Sequence, residues 1–78
     1  MEQAVRRFGQ NVRAARLARG WTQEDLAGHT GLATVQVSRI ERGKREVRLT
    51  TLVRLLDALE APATELLNGV VGDRGGSA

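Results

Sequence analysis

The sequence predicts an all-α chain of five short helices. Three observations carry that expectation. Apolar residues recur three and four positions apart, and no stretch keeps up the apolar–polar alternation of a half-buried strand. Leucine, valine and alanine supply most of the apolar content, with Phe8 and Trp21 the lone aromatics, and such a composition favours helices. Gly20, Gly31, Gly43, Pro62 and Gly69 stand where the periodicity breaks.

Each element has its own justification. Val5, Phe8, Val12 and Ala15 form one stripe, which predicts helix 1 over residues 3–19, with Gly20 following it as a residue free to take positive φ. Gly9 interrupts that helix at a cost in stability, and it could allow a close approach of another helix. Thr22 and Asp25 then form a capping box, an acidic variant of the usual Glu, and open a helix 2 of about two turns that ends at Gly31. Helix 3 runs over residues 33–42, anchored by Val37 and Ile40, until Gly43 stops it. The segment KREVR is a loop. Leu49, Leu52, Leu55, Leu56 and Leu59 give helix 4 its apolar face over residues 50–59. Pro62 suits the first position of a short helix 5 ending at Asn68-Gly69. Residues 1–69 then make one domain, and residues 70–78 a flexible C-terminal tail with little to pack beyond Val70 and Val71.

Composition bounds the function. A chain of 78 residues is one small domain, which buries only about 60% of its unfolded surface and depends on apolar packing or a partner chain. It has no cysteine, so neither a disulfide nor a thiolate metal site is available. No apolar run approaches the ~20 residues of a membrane span, and the N-terminus lacks the apolar core of an export signal, so a cytoplasmic protein is expected. His29 is the single histidine, read as a solvated cation at a helix end and not as a metal ligand. With no tyrosine or cysteine either, no nucleophile–base pair or phosphate loop is visible, and neither an enzyme nor a cofactor site is expected. The formal charge of +3 is unevenly placed. Residues 1–19 carry five arginines against Glu2, residues 34–54 carry Arg39, Arg42, Lys44, Arg45, Arg48 and Arg54 against Glu41 and Glu46, and residues 57–73 carry only acids. Such concentration suits a polyanionic partner, although a solvated basic surface would look the same.

The stretch ATVQVSRIERG contains the sharpest puzzle. Val37 and Ile40 share the anchored face of helix 3, but Val35 lies roughly opposite, on the side of Ser38, Arg39 and Arg42. A short helix, a glycine turn and a second helix with one apolar and one polar face make a helix-turn-helix, whose polar face enters the DNA major groove. Here TQEDLAGHTGLATVQVSRIERGKR resembles the XRE family, which includes phage repressors and Cro. Gln23, Leu26, Ala27, Gly31, Val37, Ile40, Glu41, Gly43 and Lys44 match its pattern, and residues 5–69 fit its five-helix domain. Short stand-alone members, such as restriction–modification controller proteins, look most similar.

The resemblance implies a compact lambda-repressor-like DNA-binding domain acting as a transcriptional regulator. It places Thr34, Val35, Gln36, Ser38 and Arg39 against base edges. It places Gln23, Arg42, Lys44 and Arg45 on phosphates, and it implies a partly buried ion pair between Arg16 and Glu41. The chemistry agrees: an Arg can bond guanine bidentately, and Val35 can pack on a thymine methyl. The competing reading leaves Val35 against a dimer partner or simply in water. A homodimer on a palindromic operator is expected, joined through helices 4 and 5 and Val70–Val71, because one such domain makes few contacts alone. The alternative is an antitoxin that masks a toxin protein and also binds DNA. Trp21 is expected to plug the junction of helices 1 and 2, with base stacking the minor reading, while Leu17 and Val53 are either incidental exposure or subunit contacts. Two departures stand out: Ala33 and Arg48 occupy positions where the family favours a Ser or Thr cap.

Overall fold

The computed structural model describes residues 2–70. The elements are α1 (Glu2–Ala18), α2 (Gln23–Thr30), α3 (Thr34–Glu41), α4 (Leu49–Leu59) and α5 (Ala63–Leu66). No helix among the described residues is long and apolar enough to cross a membrane. The largest fully buried side chains among the described residues are Val12, Leu26, Val37, Leu55 and Leu66, and each helix supplies one. The core is therefore a single point at which all the helices converge. No pair of helices can bury it alone, which is how so short a chain excludes water.

Helix ends follow local chemistry. Thr22 Oγ1 accepts from the Asp25 amide at 3.0 Å while the Asp25 carboxylate accepts from the Thr22 amide at 2.8 Å. The hydrogen bonds to the Thr22 backbone and side chain hold the Asp25 carboxyl below its usual range. This contribution is therefore complete above the ordinary carboxylate pKa and is lost as pH falls through the lowered value. α2 ends at Gly31, whose φ of 78° is the left-handed conformation of a helix stop. α4 begins at Leu49, one residue earlier than the pattern implies, after an Arg48 whose side chain caps nothing. It ends at Glu60, the one non-glycine residue with positive φ among those described. Arg19 spans that end, donating to the Leu59 carbonyl at 2.9 Å and standing 3.6 Å from the Glu60 carboxylate. Pro62 is the residue before α5, one position earlier than expected, and α5 is a single turn.

Leu49 is 75% exposed, contrary to its place in the expected apolar stripe. Helical period assigns a face but not how far the neighbouring helices extend along it. Leu55 and Leu59 are buried and Leu52 and Leu56 half-buried, while Leu49 at the very start of α4 is left uncovered. Val70 is half-buried against the core. Residues 71–78, and with them Val71 and the expected tail, lie outside the described residues.

Gly9 has a physical role. It is buried, and a Cβ there would run into the carbonyl oxygens of Ile40 and Glu41. α1 thus crosses the C-terminal end of α3 at backbone contact. Gly28, inside α2, is exposed, and a Cβ there would meet nothing within 4 Å. The two glycines give opposite expectations. Gly28→Ala should stabilise by roughly 0.5–1 kcal/mol, the helix-propensity difference. Gly9→Ala gains the same propensity but forces a rigid backbone apart, and should destabilise by roughly 1–3 kcal/mol. Urea unfolding of both variants checks this, and a neutral Gly9→Ala would mean that the two helices do not touch there.

Candidate nucleic-acid interface

The interface is assembled from α2, its turn and α3. Val37 and Ile40 are buried, and so is Glu41. Thr34, Val35, Gln36 and Arg39 are exposed, with Val35 at 54%. Ser38 is half-buried, because its position on the helix lies beside the anchored face. Of the five positions expected to approach bases, four therefore stand clear on the outer surface and Ser38 stands partly behind them.

The N-terminus of α3 lacks an ordinary cap, since Ala33 has no acceptor. Gln36 compensates in part: its Oε1 accepts from the Ala33 amide at 2.9 Å. That is half of a capping box, and it holds the first turn of α3 closed. It also commits the side-chain carbonyl of Gln36, leaving the NH₂ as the free end.

Glu41 is the hub behind the outer face. Its carboxylate accepts from Arg16 Nε at 2.6 Å, from Arg16 Nη2 at 2.9 Å and from Gln23 Nε2 at 3.1 Å. Arg16 Nη1 donates to the Trp21 carbonyl at 2.8 Å. One buried cluster thus joins α1, the α1–α2 link, the start of α2 and the end of α3. The hydrogen bonds to Glu41 push the Arg16 guanidinium pKa upward, which favours its charged form further. Gln23 is half-buried and engaged by Glu41, so it braces α3 from within.

The chain beyond α3 turns at Gly43, with φ 70°, where an added Cβ would lie 2.8 Å from the Cα of Arg6. Only glycine allows this turn to sit against α1. Arg42, Lys44 and Arg45 flank the turn as cations, with the Lys44 amide donating to the Arg39 carbonyl at 2.9 Å. The ion pairs among the described residues join Arg16 to Glu41 and Arg19 to Glu60, so Arg39, Arg42, Lys44 and Arg45 have no carboxylate partner there.

Several contacts around the interface carried no sequence signal. Asn11 Nδ2 donates to the carbonyls of Leu66 and Asn68, both at 2.8 Å, and clamps α5 to α1. Trp21 stacks on His29 with ring centroids 4.2 Å apart, and the Arg19 guanidinium lies 4.7 Å from the Trp21 ring on this same cluster. Trp21 does sit at the α1–α2 junction, and His29 is stacked as well as exposed.

Comparison with known proteins agrees with this architecture. A family model described as helix-turn-helix matches residues 12–66. The restriction–modification controller protein C.AhdI from Aeromonas hydrophila superposes with a TM-score of 0.76 at 40% identity, over 80% of this chain and 94% of that one. The control protein C.SmaI of Serratia marcescens is 37% identical over 60 residues, covering 77% of this chain and 71% of its own length. The structure of the controller protein C.Esp1396I as a tetramer with its natural 35-base-pair operator superposes with a TM-score of 0.76 at 26% identity, over 87% of this chain and 90% of that one. Other curated relatives are longer proteins, and the chain spans 54% and 45% of the length of two of them. With the motif's geometry, these likenesses settle the family: the chain belongs to the helix-turn-helix regulators of the XRE type.

Proposed function

We propose that the chain is a sequence-specific double-stranded DNA-binding transcriptional regulator, with α3 as its recognition helix. The observation that carries this reading is an outer face of α3 held rigidly from behind by the Arg16–Glu41–Gln23 cluster. Thr34, Val35, Gln36 and Arg39, with Ser38 at the margin, face the bases of the major groove, and Arg42, Lys44 and Arg45 face phosphates. Gln23 both braces α3 and reaches a phosphate from the start of α2. The operator-bound state of a relative of the same fold supports the reading.

The functional unit is a homodimer on a palindromic site. Leu49 and Val53 support this: they lie four apart on the outer face of α4, 75% and 47% exposed. The contact is built from α4 and α5, while Val70 serves its own protomer's core. Two recognition helices would then sit about one helical turn, ~34 Å, apart. Selection of bound sequences from random duplex DNA tests base preference and symmetry together and should recover an inverted repeat with that spacing. Recovery of no motif would refute sequence-specific binding. Sedimentation equilibrium showing only monomer at tens of micromolar, with and without the selected duplex, would refute the dimer.

A further inference from the structure

The cleft between α3 and α4 gathers more positive charge than the recognition motif uses, since Arg48 and Arg54 lie outside it. Gln36, Arg39, Arg45, Glu46, Arg48 and Arg54 line it, so four guanidiniums face one carboxylate. The ion pairs among the described residues lie elsewhere, and these four cations converge without a carboxylate partner. Arg54 belongs to α4 yet reaches the helix-turn-helix itself: its Nη1 lies 3.8 Å from where a Cβ on Gly31 would stand. Gln36 has its carbonyl oxygen tied to Ala33, so its free end is an NH₂ donor. The start of α4 adds first-turn amides that Arg48 does not cap.

The free polar groups here are overwhelmingly donors, and most are cationic. The ligand they select is an anion with several acceptor oxygens, for which guanidinium forks are well matched. Gln36 and Arg39 are also on the face proposed to enter the major groove, so the cleft opens at the edge of that groove. The anion within reach there is a DNA backbone phosphodiester.

We propose that the α3–α4 cleft seats one backbone phosphate flanking the major groove, gripped chiefly by Arg48 and Arg54, so that Arg54 of α4 is a DNA-contacting residue outside the helix-turn-helix. This rests on the DNA-binding reading above and adds a contact to it. The seat fixes the approach of α3 from the side opposite Gln23, and it carries no base information.

The test is a salt series of binding to a mixed-sequence duplex and to the duplex selected by the wild-type chain, for wild type, Arg54→Gln, Arg54→Lys and Lys44→Ala. Arg54→Gln should weaken both duplexes alike and make the log–log salt dependence shallower by about 0.9 for each phosphate no longer neutralised. Arg54→Lys should keep most of the slope, and the thermal midpoint of both variants should match wild type, since Arg54 is exposed and outside the ion pairs. An unchanged slope in Arg54→Gln, with Lys44→Ala shallower, overturns the seat and leaves the DNA-binding reading intact. Wild type that binds neither duplex overturns both. Inorganic phosphate provides the remaining arm: a midpoint raised in wild type but not in Arg54→Gln, with the DNA slope unchanged, would assign the cleft to a free anion and overturn the proposal.

Discussion

Glu41→Ala should cost the fold roughly 3–5 kcal/mol, as much as truncating a fully buried core side chain. It strands the Arg16 guanidinium, leaving it the Trp21 carbonyl as its one acceptor. The exposure of the two side chains decides the magnitude. An exposed ion pair contributes ~0–1 kcal/mol, but here the Arg16 and Glu41 side chains are only 8% and 2% exposed. Both charges are already stripped of water, so removing one leaves the other uncompensated. Arg16→Ala should cost a similar amount, since Glu41 then keeps only Gln23. Arg16→Lys should rescue little, because an ammonium cannot hold both carboxylate oxygens and the Trp21 carbonyl with a planar fork. The double change Arg16→Ala with Glu41→Ala should cost less than the sum of the single losses. Urea unfolding of the cycle measures this coupling. Single losses under about 1 kcal/mol, or no coupling, would show two independent surface charges.

The same cluster shows what the sequence made legible. Local rules predicted the order of the helices and most of their ends, because Thr22, Gly31 and Gly43 act through their own backbone neighbourhood. Helical period also separated Val37 and Ile40 from Val35. What escaped it depends on distant parts of the chain. Leu49 belongs to a helical stripe but projects beyond the helices that cover the rest of α4. Asn11 bonds carbonyls more than fifty positions away, and no local pattern announces such a clamp. Gly9 was legible as a cost that a close approach of another helix would offset, but not which element approaches it, since the C-terminal carbonyls of α3 that lie against it are distant in the chain. Gln36 is different: its place three residues after Ala33 is the acceptor half of a capping box, so its bond to Ala33 had a signal that the missing Ser or Thr obscured. Arg54 had none, since its relevance comes from α4 lying beside the α2–α3 turn.

Exchange of single side chains on α3 should separate reading from holding. Arg39→Ala is expected to lose roughly 1–3 kcal/mol of discrimination at one base pair per half-site, a guanine. Val35→Ser should chiefly relax a preference for thymine, and thymine-to-uracil replacement in the DNA should reproduce that effect on wild type, because each removes one side of the same methyl contact. Lys44→Ala should weaken all duplexes about equally and make the salt dependence shallower by ~0.9 for each phosphate it ceases to neutralise. The structure supplies the reason for the division. Val35 and Arg39 are four apart on α3, both exposed, with their helix fixed from behind by Glu41. Lys44 follows the Gly43 turn, where the chain has left the helix and lies beside Arg6 of α1. In the proposed docking, a side chain placed there would meet the edge of a groove and not its floor. Binding to selected and scrambled duplexes across a salt series reads both effects. If Arg39→Ala and Val35→Ser keep the wild-type ratio of specific to non-specific affinity, α3 is not the reader, and a valine half out in water on its cationic face loses the thymine-methyl explanation.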